Sequence, residues 1–246
     1  MALLELIDVS KHFGAIHAVG HVDLALQPGE VVGLMGDNGA GKSTLVKMIA
    51  GNFPPSGGEI RVDGRPIQFT DSADARDHGI EVVYQDLALC DNLTAADNVF
   101  LGRELKRGVR PFELLDYRAM AKRSAELFAE LQSETRPRDL VRDMSGGQRQ
   151  AVAIARTRLS NAKIVLMDEP TAAISVRQVA QVLDLIRRLR EGGIAVVLIS
   201  HRMPDVFAVA DRLVVLRRGR KVCDKPLAAT SPEEATALIT GALEAA

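Results

Sequence analysis

The chain has 246 residues, of which 47% are hydrophobic and 26% are charged, a composition typical of a globular protein with a sizeable core. Its 31 Lys and Arg residues are balanced by 32 Asp and Glu residues, which argues against a dedicated nucleic-acid binder because such proteins usually carry a basic excess. No stretch approaches the ~20 apolar residues needed to cross a bilayer, and the N-terminus lacks the pattern of a signal peptide. The sequence therefore predicts a cytoplasmic protein that reaches a membrane only through a partner.

The first segments predict a small antiparallel sheet. Leu3 to Val9 and Val22 to Leu26 alternate as strands do, and Ser10 to Gly14 is predicted as a turn. Further along, Gly57 to Ile67 has the pattern of a hairpin that turns at Asp63-Gly64. These strands are expected to flank a nucleotide-binding core.

Between them lies a nine-residue loop with the spacing of a phosphate-binding loop, G-x-x-x-x-G-K-[ST]. This phosphate loop consists of Gly36, Asp37, Asn38, Gly39, Ala40, Gly41, Lys42, Ser43 and Thr44. Val31 to Met35 before it predicts a buried strand, and Lys42 to Ala50 predicts a helix whose N-terminus faces the phosphates. Glycines let backbone N–H groups converge on an anion, Lys42 supplies a positive charge near the β- and γ-phosphates, and the Ser43 hydroxyl can bind Mg²⁺.

The middle of the chain changes character after a predicted helix at Ser72 to His78 and a strand at Ile80 to Tyr84. Residues from about 87 to 144 show helical spacing and no long strand-like run, so they predict a helical lobe inserted between core strands. One apolar stripe there predicts a core-facing helix: Met120, Leu127, Phe128 and Leu131. Arg103 to Arg110 is interpreted as a solvated basic loop.

The last hundred residues return to alternating strands and helices. The predicted elements are a helix from Ser145 as N-cap to Leu159, a strand at Lys163 to Met167, a helix at Arg177 to Arg190, a strand at Ile194 to Ser200, a hairpin of Leu213 to Leu216 and Lys221 to Cys223, and a terminal helix capped by Ser231. Continuous apolar strands separated by helices favour a parallel sheet.

Polar residues follow several of these strands at their carboxyl ends, where ligands bind in parallel α/β folds. Gln85 follows one strand, Asp168 and Glu169 follow another, and His201 follows a third. In this context Asp168 is a candidate Mg²⁺ ligand, and Glu169 is a candidate to orient or deprotonate a water. His201 can reach the γ-phosphate, although a histidine held by local backbone bonds stays an open alternative.

A second anion-binding element is predicted at Ser145, Gly146, Gly147 and Gln148, here called the SGGQ segment. Two glycines at a helix N-terminus leave N–H groups free at the positive end of the helix dipole. A flexible helix cap with no ligand is the alternative. Two phosphate-gripping elements in one protein suggest that the γ-phosphate is clamped from both sides.

Taken in order, the phosphate loop, Gln85, the SGGQ segment, Asp168-Glu169 and His201 closely resemble the ATP-binding cassette of ABC transporters. The resemblance spans about Leu3 to Ala242. It implies an α/β P-loop NTPase fold with a mostly parallel core sheet, an antiparallel β-subdomain and an inserted helical subdomain. Residues 1–246 would form one ATP-binding domain, with the core and β-subdomain at 1–86 and 145–246 and the helical subdomain at about 87–144.

The resemblance also implies roles for individual residues. Glu169, His201 and Lys42 would be catalytic, and Phe13 would stack on adenine. Gln85 would contact Mg²⁺ and water and sense a membrane partner, with Ser43 and Asp168 as the other metal ligands. The SGGQ segment would act in trans on ATP held by a second copy, giving a head-to-tail C₂ homodimer.

A finer resemblance is to the ATPases of monosaccharide importers of the ribose, xylose and fructose type. It is carried by the phosphate loop and by Glu169-Pro170-Thr171-Ala172-Ala173, while residues 171–178 look most like the fructose-importing members. This implies transmembrane permease subunits docked on the helical lobe, an external or periplasmic sugar-binding protein, and a peripheral location on the cytoplasmic face of the bacterial inner membrane.

Two features depart from that group. Many of its members carry two tandem cassettes, so this single cassette is expected to pair with another chain. Ser175 also stands where the loop after Glu-Pro-Thr usually has an aspartate, which puts in doubt the contact that this aspartate makes across the dimer. The alternatives left open are another ABC importer, an exporter, a soluble ABC protein acting on the ribosome or DNA, and a phosphate-loop kinase.

Overall fold

The structure is a computed structural model that describes residues 2–109, 112–159, 162–172 and 174–243. Its strands are β1 (Leu4–Phe13), β2 (Ile16–Leu26), β3 (Val31–Met35), β4 (Gly57–Val62), β5 (Arg65–Ile67), β6 (Ile80–Val83), β7 (Lys106–Arg107), β8 (Leu114–Leu115), β9 (Ile164–Asp168), β10 (Ala195–Ile199), β11 (Arg212–Arg217) and β12 (Arg220–Pro226). Its α-helices are α1 (Lys42–Ile49), α2 (Ser72–Asp77), α3 (Ala95–Phe100), α4 (Tyr117–Glu130), α5 (Gly146–Leu159), α6 (Val176–Glu191), α7 (Met203–Val209) and α8 (Pro232–Thr240).

The central feature is a six-stranded sheet in the order β12-β11-β3-β10-β9-β6. Five of these strands run parallel, and β12 pairs antiparallel with β11 at one edge. Every residue of β3 and β10 is buried, as expected for strands covered on both faces. The prediction of a mostly parallel core is therefore confirmed, and the carboxyl ends of β3, β6, β9, β10 and β11 meet at one edge.

A hydrophobic core lies on each face of this sheet, because successive side chains of a strand point to opposite sides. Val31 and Met35 of β3 belong to the core formed with α4, α5 and α6, whereas Val32 and Leu34 belong to the core formed with α1 and the antiparallel sheet. The continuous apolar runs in the sequence therefore serve two cores at once.

The antiparallel sheet has the order β2-β1-β4-β5, and its β4–β5 turn falls at Asp63-Gly64 as predicted. The predicted turn at Ser10 to Gly14 is wrong for most of its length. β1 continues through bulges to Phe13, which pairs with Ile16, so the turn holds only Gly14 and Ala15. This end of the sheet is open to solvent, and polar residues pair there without needing an apolar pattern.

Residues 87–144 contain α3, α4, a 3₁₀ turn at Val141–Asp143 and the short β7–β8 hairpin. The predicted apolar stripe of α4 is confirmed, since Met120, Leu127, Phe128 and Leu131 are all buried. The interpretation of Arg103 to Arg110 as a basic loop needs correction, because Lys106 and Arg107 form β7. Arg110 lies outside the described residues.

From residue 145 onward, most helices and strands begin and end within one or two residues of their predicted bounds. One helix, α7, was not predicted. α7 is short and has proline in its first turn, so its sequence carries too few turns to show a helical period. Among the described residues, no helix combines the length and apolar character needed to span a bilayer.

Candidate functional site

The phosphate loop joins β3 to α1 and is shaped by glycines that other residues cannot replace. Gly36, Gly39 and Gly41 have φ of 147°, 79° and 100°, in the region that favours glycine. A Cβ on Gly36 would overlap the carbonyl oxygen of Leu216, and one on Gly41 would lie 2.5 Å from the carbonyl oxygen of Ala18. Because both neighbours are backbone atoms, positions 36 and 41 have no room to accommodate a side chain.

α1 begins at Lys42 with its N-terminus free. Gly41 occupies the N-cap position and provides no side-chain hydrogen bond, so N–H groups of the first turn remain available for an anion. Ser43 is exposed at this end of the helix, and Thr44 is half-buried. This end of the helix therefore has the free N–H groups that a phosphate cradle requires.

Lys42 folds back over the phosphate loop. Its Nζ donates to the carbonyl oxygens of Gly36 at 2.6 Å and Asp37 at 2.9 Å. Burial lowers the pKa of Lys42, and the charges of Glu169, Asp168 and Asp37 oppose that shift. The ammonium group is therefore held inside the loop, within electrostatic reach of both carboxylates that follow β9.

Asp168 is the last residue of β9 and pairs in register with Ile199 of β10. Burial raises the pKa of Asp168, the neighbouring charge of Glu169 raises it further, and Lys42 and Lys47 act in the opposite direction. A carboxylate kept partly desolvated in this way gains from a nearby cation. The structure thus brings Lys42, Asp168 and Glu169 together as predicted.

Glu169 and His201 meet across the ends of β9 and β10. The Oε2 atom of Glu169 lies 2.8 Å from Nδ1 of His201, and the two side chains are 14% and 67% exposed. The contact lacks the alignment of a hydrogen bond, so we describe it as an ion pair that forms when the imidazole is protonated. Glu169 also has a φ of 52°, and its N–H donates to the carbonyl oxygen of Ile199 at 3.0 Å. Such a backbone conformation is costly and often marks a functional residue.

Two other predicted residues lie at the margins of this site. Gln85 is exposed beyond the end of β6, whose Val83 pairs with Met167 next to Asp168. Phe13 is 48% exposed at the end of β1, and its ring meets the edge of Phe53 at 5.4 Å between centroids. The Nζ atom of Lys11 lies over the same ring, 5.3 Å from its centroid, so a base that stacks on Phe13 would approach the half of the ring that stays exposed.

The SGGQ segment begins α5 and forms a closed capping box of its own. The Gln148 N–H donates to Ser145 Oγ at 3.3 Å, while Gln148 Oε1 accepts from the Ser145 N–H at 3.0 Å. Within the described residues, no hydrogen bond or ion pair joins this segment to the phosphate loop. Its predicted action on a second copy stays a prediction.

Sequence reasoning missed the side chains that hold the loop after Glu169. Gln150, buried on α5, donates from Nε2 to the carbonyl oxygen of Pro170 at 2.5 Å. Thr171 donates to Asp205 of α7 at 2.6 Å, and Arg202 pairs with the same carboxylate at 3.2 Å. In the sequence, Gln150 could have been noticed as a polar residue within the apolar face of α5. That face can be recognised only once the bounds of the helix are known.

A family model described as "ABC transporter" matches residues 19–172. The "Fructose import ATP-binding protein" of Rhizobium meliloti is 46% identical over 239 residues, covering 95% of this chain and 92% of that protein. The chain belongs to the ABC transporter family. It is therefore an ATP-hydrolysing ABC cassette, and its predicted fold class is confirmed.

Other relatives of the cassette carry names of the same kind. The "Xylose/arabinose import ATP-binding protein" of Sulfolobus acidocaldarius is 44% identical, covering 97% of this chain and 94% of the relative. The "Ribose import ATP-binding protein" of Burkholderia cenocepacia is 43% identical, and the match covers 97% of this chain but 46% of that protein. The cassette thus spans about half the length of the ribose relatives.

Solved structures agree on the fold. An ATP-binding cassette of an ABC transporter in its ADP conformation superposes with a TM-score of 0.81 at 24% identity, covering 98% of this chain and 95% of the other. A dimeric bacterial ABC transporter cassette superposes with a TM-score of 0.74 at 28% identity, covering 91% of this chain and 98% of the other.

Proposed function

We propose that the cassette is the ATP-hydrolysing subunit that powers import of a monosaccharide through separate transmembrane permease subunits. The observation that carries this proposal is the 46% identity to a fructose import subunit over nearly the full length of both chains. Relatives named for xylose, arabinose and ribose support the same substrate class. Fructose is favoured among these sugars because its relative has the highest identity of the three.

The site residues have distinct roles in this proposal. The phosphate loop holds the phosphates through its N–H groups, and Lys42 neutralises charge on the β- and γ-phosphates. Glu169 orients and deprotonates the attacking water. His201, placed 2.8 Å from Glu169, fixes that carboxylate and contacts the γ-phosphate. Phe13 stacks on the adenine.

Mg²⁺ fits the available donors. Among the described residues no group of three or more His, Cys, Asp or Glu side chains is arranged to hold a metal, which suits an ion bound mainly by phosphates and one carboxylate. Asp168, desolvated and at the edge of the loop, and the exposed Ser43 hydroxyl are the ligands we assign, with Gln85 as the third contact. When bound, Mg²⁺ offsets the negative charge of the phosphates.

The working assembly we propose is a C₂ homodimer with two ATP molecules between its subunits. Each phosphate loop faces the SGGQ segment of the other copy, whose glycines bind the γ-phosphate. The similarity to a dimeric bacterial cassette supports this arrangement. The exposed position of Ser145, outside any hydrogen bond to its own phosphate loop among the described residues, is consistent with it.

The proposed architecture assigns the core and β-subdomain to 1–86 and 145–246 and the helical subdomain to about 87–144. The helical subdomain docks the permease subunits, which places the cassette at the cytoplasmic face of the membrane. A sugar-binding protein on the opposite side delivers the substrate. Nucleic acid has no part in this function.

The test is ATP hydrolysis by the cassette reconstituted with its permease and sugar-binding protein, using a panel of pentoses and hexoses. We expect one monosaccharide, or a small related set, to stimulate hydrolysis and to accumulate inside vesicles. Efflux without uptake would replace the proposal with an exporter. Hydrolysis that responds to ribosomes or DNA and to no membrane partner would replace it with a soluble ABC protein.

A further inference from the structure

Two helices of the cassette, α5 and α6, begin with the same kind of capping box. Ser175, the residue that replaces the usual aspartate, is the N-cap of α6 and accepts from the Gln178 N–H at 3.4 Å. Gln178 Oε1 in turn accepts from the N–H and the hydroxyl of Ser175, each at 2.9 Å. Ser145 and Gln148 form the equivalent box at the start of α5. Ser175 is thus bound to its own helix.

These two helix starts pack directly on each other. A Cβ on Gly146 would lie 2.8 Å from Cγ2 of Ile174 and 3.4 Å from Nε2 of Gln178. One on Gly147 would lie 2.5 Å from Oε1 of Gln181 and 3.5 Å from Cγ of Gln178. The side chain of Gln178 therefore borders the space beside both glycines of the SGGQ segment, while its amide oxygen accepts hydrogen bonds from Ser175.

We propose that Gln178 is a positioning residue that joins the SGGQ segment to residues 174–175 as one unit. This inference rests on the proposed role of the SGGQ segment in binding the γ-phosphate of a partner's ATP. Gln178 does not itself touch the nucleotide. It fixes the direction of the glycine N–H groups, and its neutral amide keeps negative charge away from the place where the phosphate arrives.

The charged residues near Gln178 determine how strongly a substitution at this position should affect ATP binding. A cavity of about 490 Å³ beside the two helix starts is lined by Ser145 and Gln178 and by two residues of each charge: Arg177, Arg188, Glu134 and Asp184. A carboxylate at position 178 would repel a nearby phosphate, and the two arginines would offset part of that repulsion while the two carboxylates add to it. We therefore expect changes of about tenfold rather than a complete loss of binding.

Gln178→Glu is the discriminating variant. Glutamate has nearly the same shape, keeps the acceptor for Ser175 and suits the third position of a helix, so the melting temperature should stay the same or rise. The KM for ATP should nevertheless rise about tenfold, with little change in kcat, and the defect should shrink as salt screens the added charge. Gln68→Glu places the same charge on an exposed residue after β5 and should match the wild type.

Gln178→Ala tests the positioning itself. Loss of the side chain frees Ser175 and leaves the glycines unsupported, so the KM for ATP should rise about fivefold with no dependence on salt. The proposal is overturned if either variant keeps a wild-type KM for ATP, even if the alanine variant is less stable. A wild-type cassette that does not hydrolyse ATP even when reconstituted with its permease subunits would instead refute the proposed function.

Discussion

The phosphate loop and the SGGQ segment are both glycine-rich helix starts, but they are held in different ways. The phosphate loop is enclosed by backbone: Gly36 abuts the carbonyl of Leu216, and Gly219 donates to the carbonyl of Ala40 at 3.0 Å. The SGGQ segment is held from one side by side chains of α6, and Ser145 is exposed. The phosphate loop is thus enclosed by backbone, whereas the SGGQ segment presents an open surface.

The two elements differ in rigidity because their glycines face different kinds of atom. Backbone carbonyls in a sheet cannot move without breaking ladder hydrogen bonds, whereas the ends of Ile174 and Gln181 can rotate away. Gly36 and Gly41 of the phosphate loop should therefore tolerate no side chain, whereas the SGGQ segment should accept a small side chain without unfolding but lose its proposed function.

The largest effect is expected at Glu169, the proposed catalytic base. Glu169→Gln should retain ATP binding but lower turnover about 10²–10⁴-fold, roughly 2.7–5.4 kcal/mol of barrier, because the amide cannot accept a proton from water. Steady-state hydrolysis together with ATP binding measures this change. Glu191→Gln, an exposed position at the end of α6, is the control. Near-normal turnover would exclude Glu169 as the base.

Replacing one glycine by alanine in the phosphate loop and one in the SGGQ segment tests whether the two elements are held with different rigidity. Gly36→Ala should cost about 2–4 kcal/mol of unfolding free energy, because the new Cβ meets a fixed carbonyl at a strained φ. Gly146→Ala should cost about 1 kcal/mol or less, because Ile174 can yield. Urea unfolding gives both values.

Nucleotide binding and hydrolysis should show that the milder change in stability still removes activity. Gly146→Ala should still bind ADP through its phosphate loop but hydrolyse ATP poorly. Equal destabilisation by the two alanines would mean that the SGGQ segment is as rigidly enclosed as the phosphate loop.

Phe13 is the residue proposed to stack on the adenine base. Phe13→Ala should weaken ATP binding by about 1 kcal/mol through lost stacking, with the fold retained because the ring is half exposed. Calorimetric titration with ATP and with inorganic tripolyphosphate separates base from phosphate contacts. Tripolyphosphate affinity should not change, and an equal loss for both ligands would contradict adenine stacking.

The smallest effect concerns the stability of the free cassette. The pKa of Asp168 is raised in the folded state, so folding holds its proton more tightly and this residue's contribution to stability falls as pH rises from the ordinary carboxyl value to the raised one. Above that window, Asp168→Asn should slightly stabilise the protein without nucleotide, because the buried negative charge is removed. Melting temperatures across pH test the sign, and a less stable variant at neutral pH would contradict it.

The sequence allowed the core sheet to be predicted, together with the convergence of Lys42, Asp168 and Glu169 at its carboxyl edge, because the buried strands and the phosphate loop have strong local patterns. The extension of β1 to Phe13 and helix α7 were missed, since pairing at a solvent-exposed sheet end and a two-turn helix leave weak patterns. The close contact between Glu169 and His201 depends on strand register. The packing of Gln178 under two glycines depends on how α5 and α6 cross, which no local pattern records.

The central claim is that each catalytic site is assembled from two copies. Mixing Lys42→Ala, which lacks a working phosphate loop, with Ser145→Arg, which lacks a working SGGQ segment, tests it most directly. Each variant alone should be inactive, whereas a mixed dimer contains one intact composite site. We expect ATP hydrolysis to recover to about a quarter of the wild-type rate at equal concentrations, since half of the dimers are mixed and each has one site. No recovery in a mixture shown to contain mixed dimers would contradict the account.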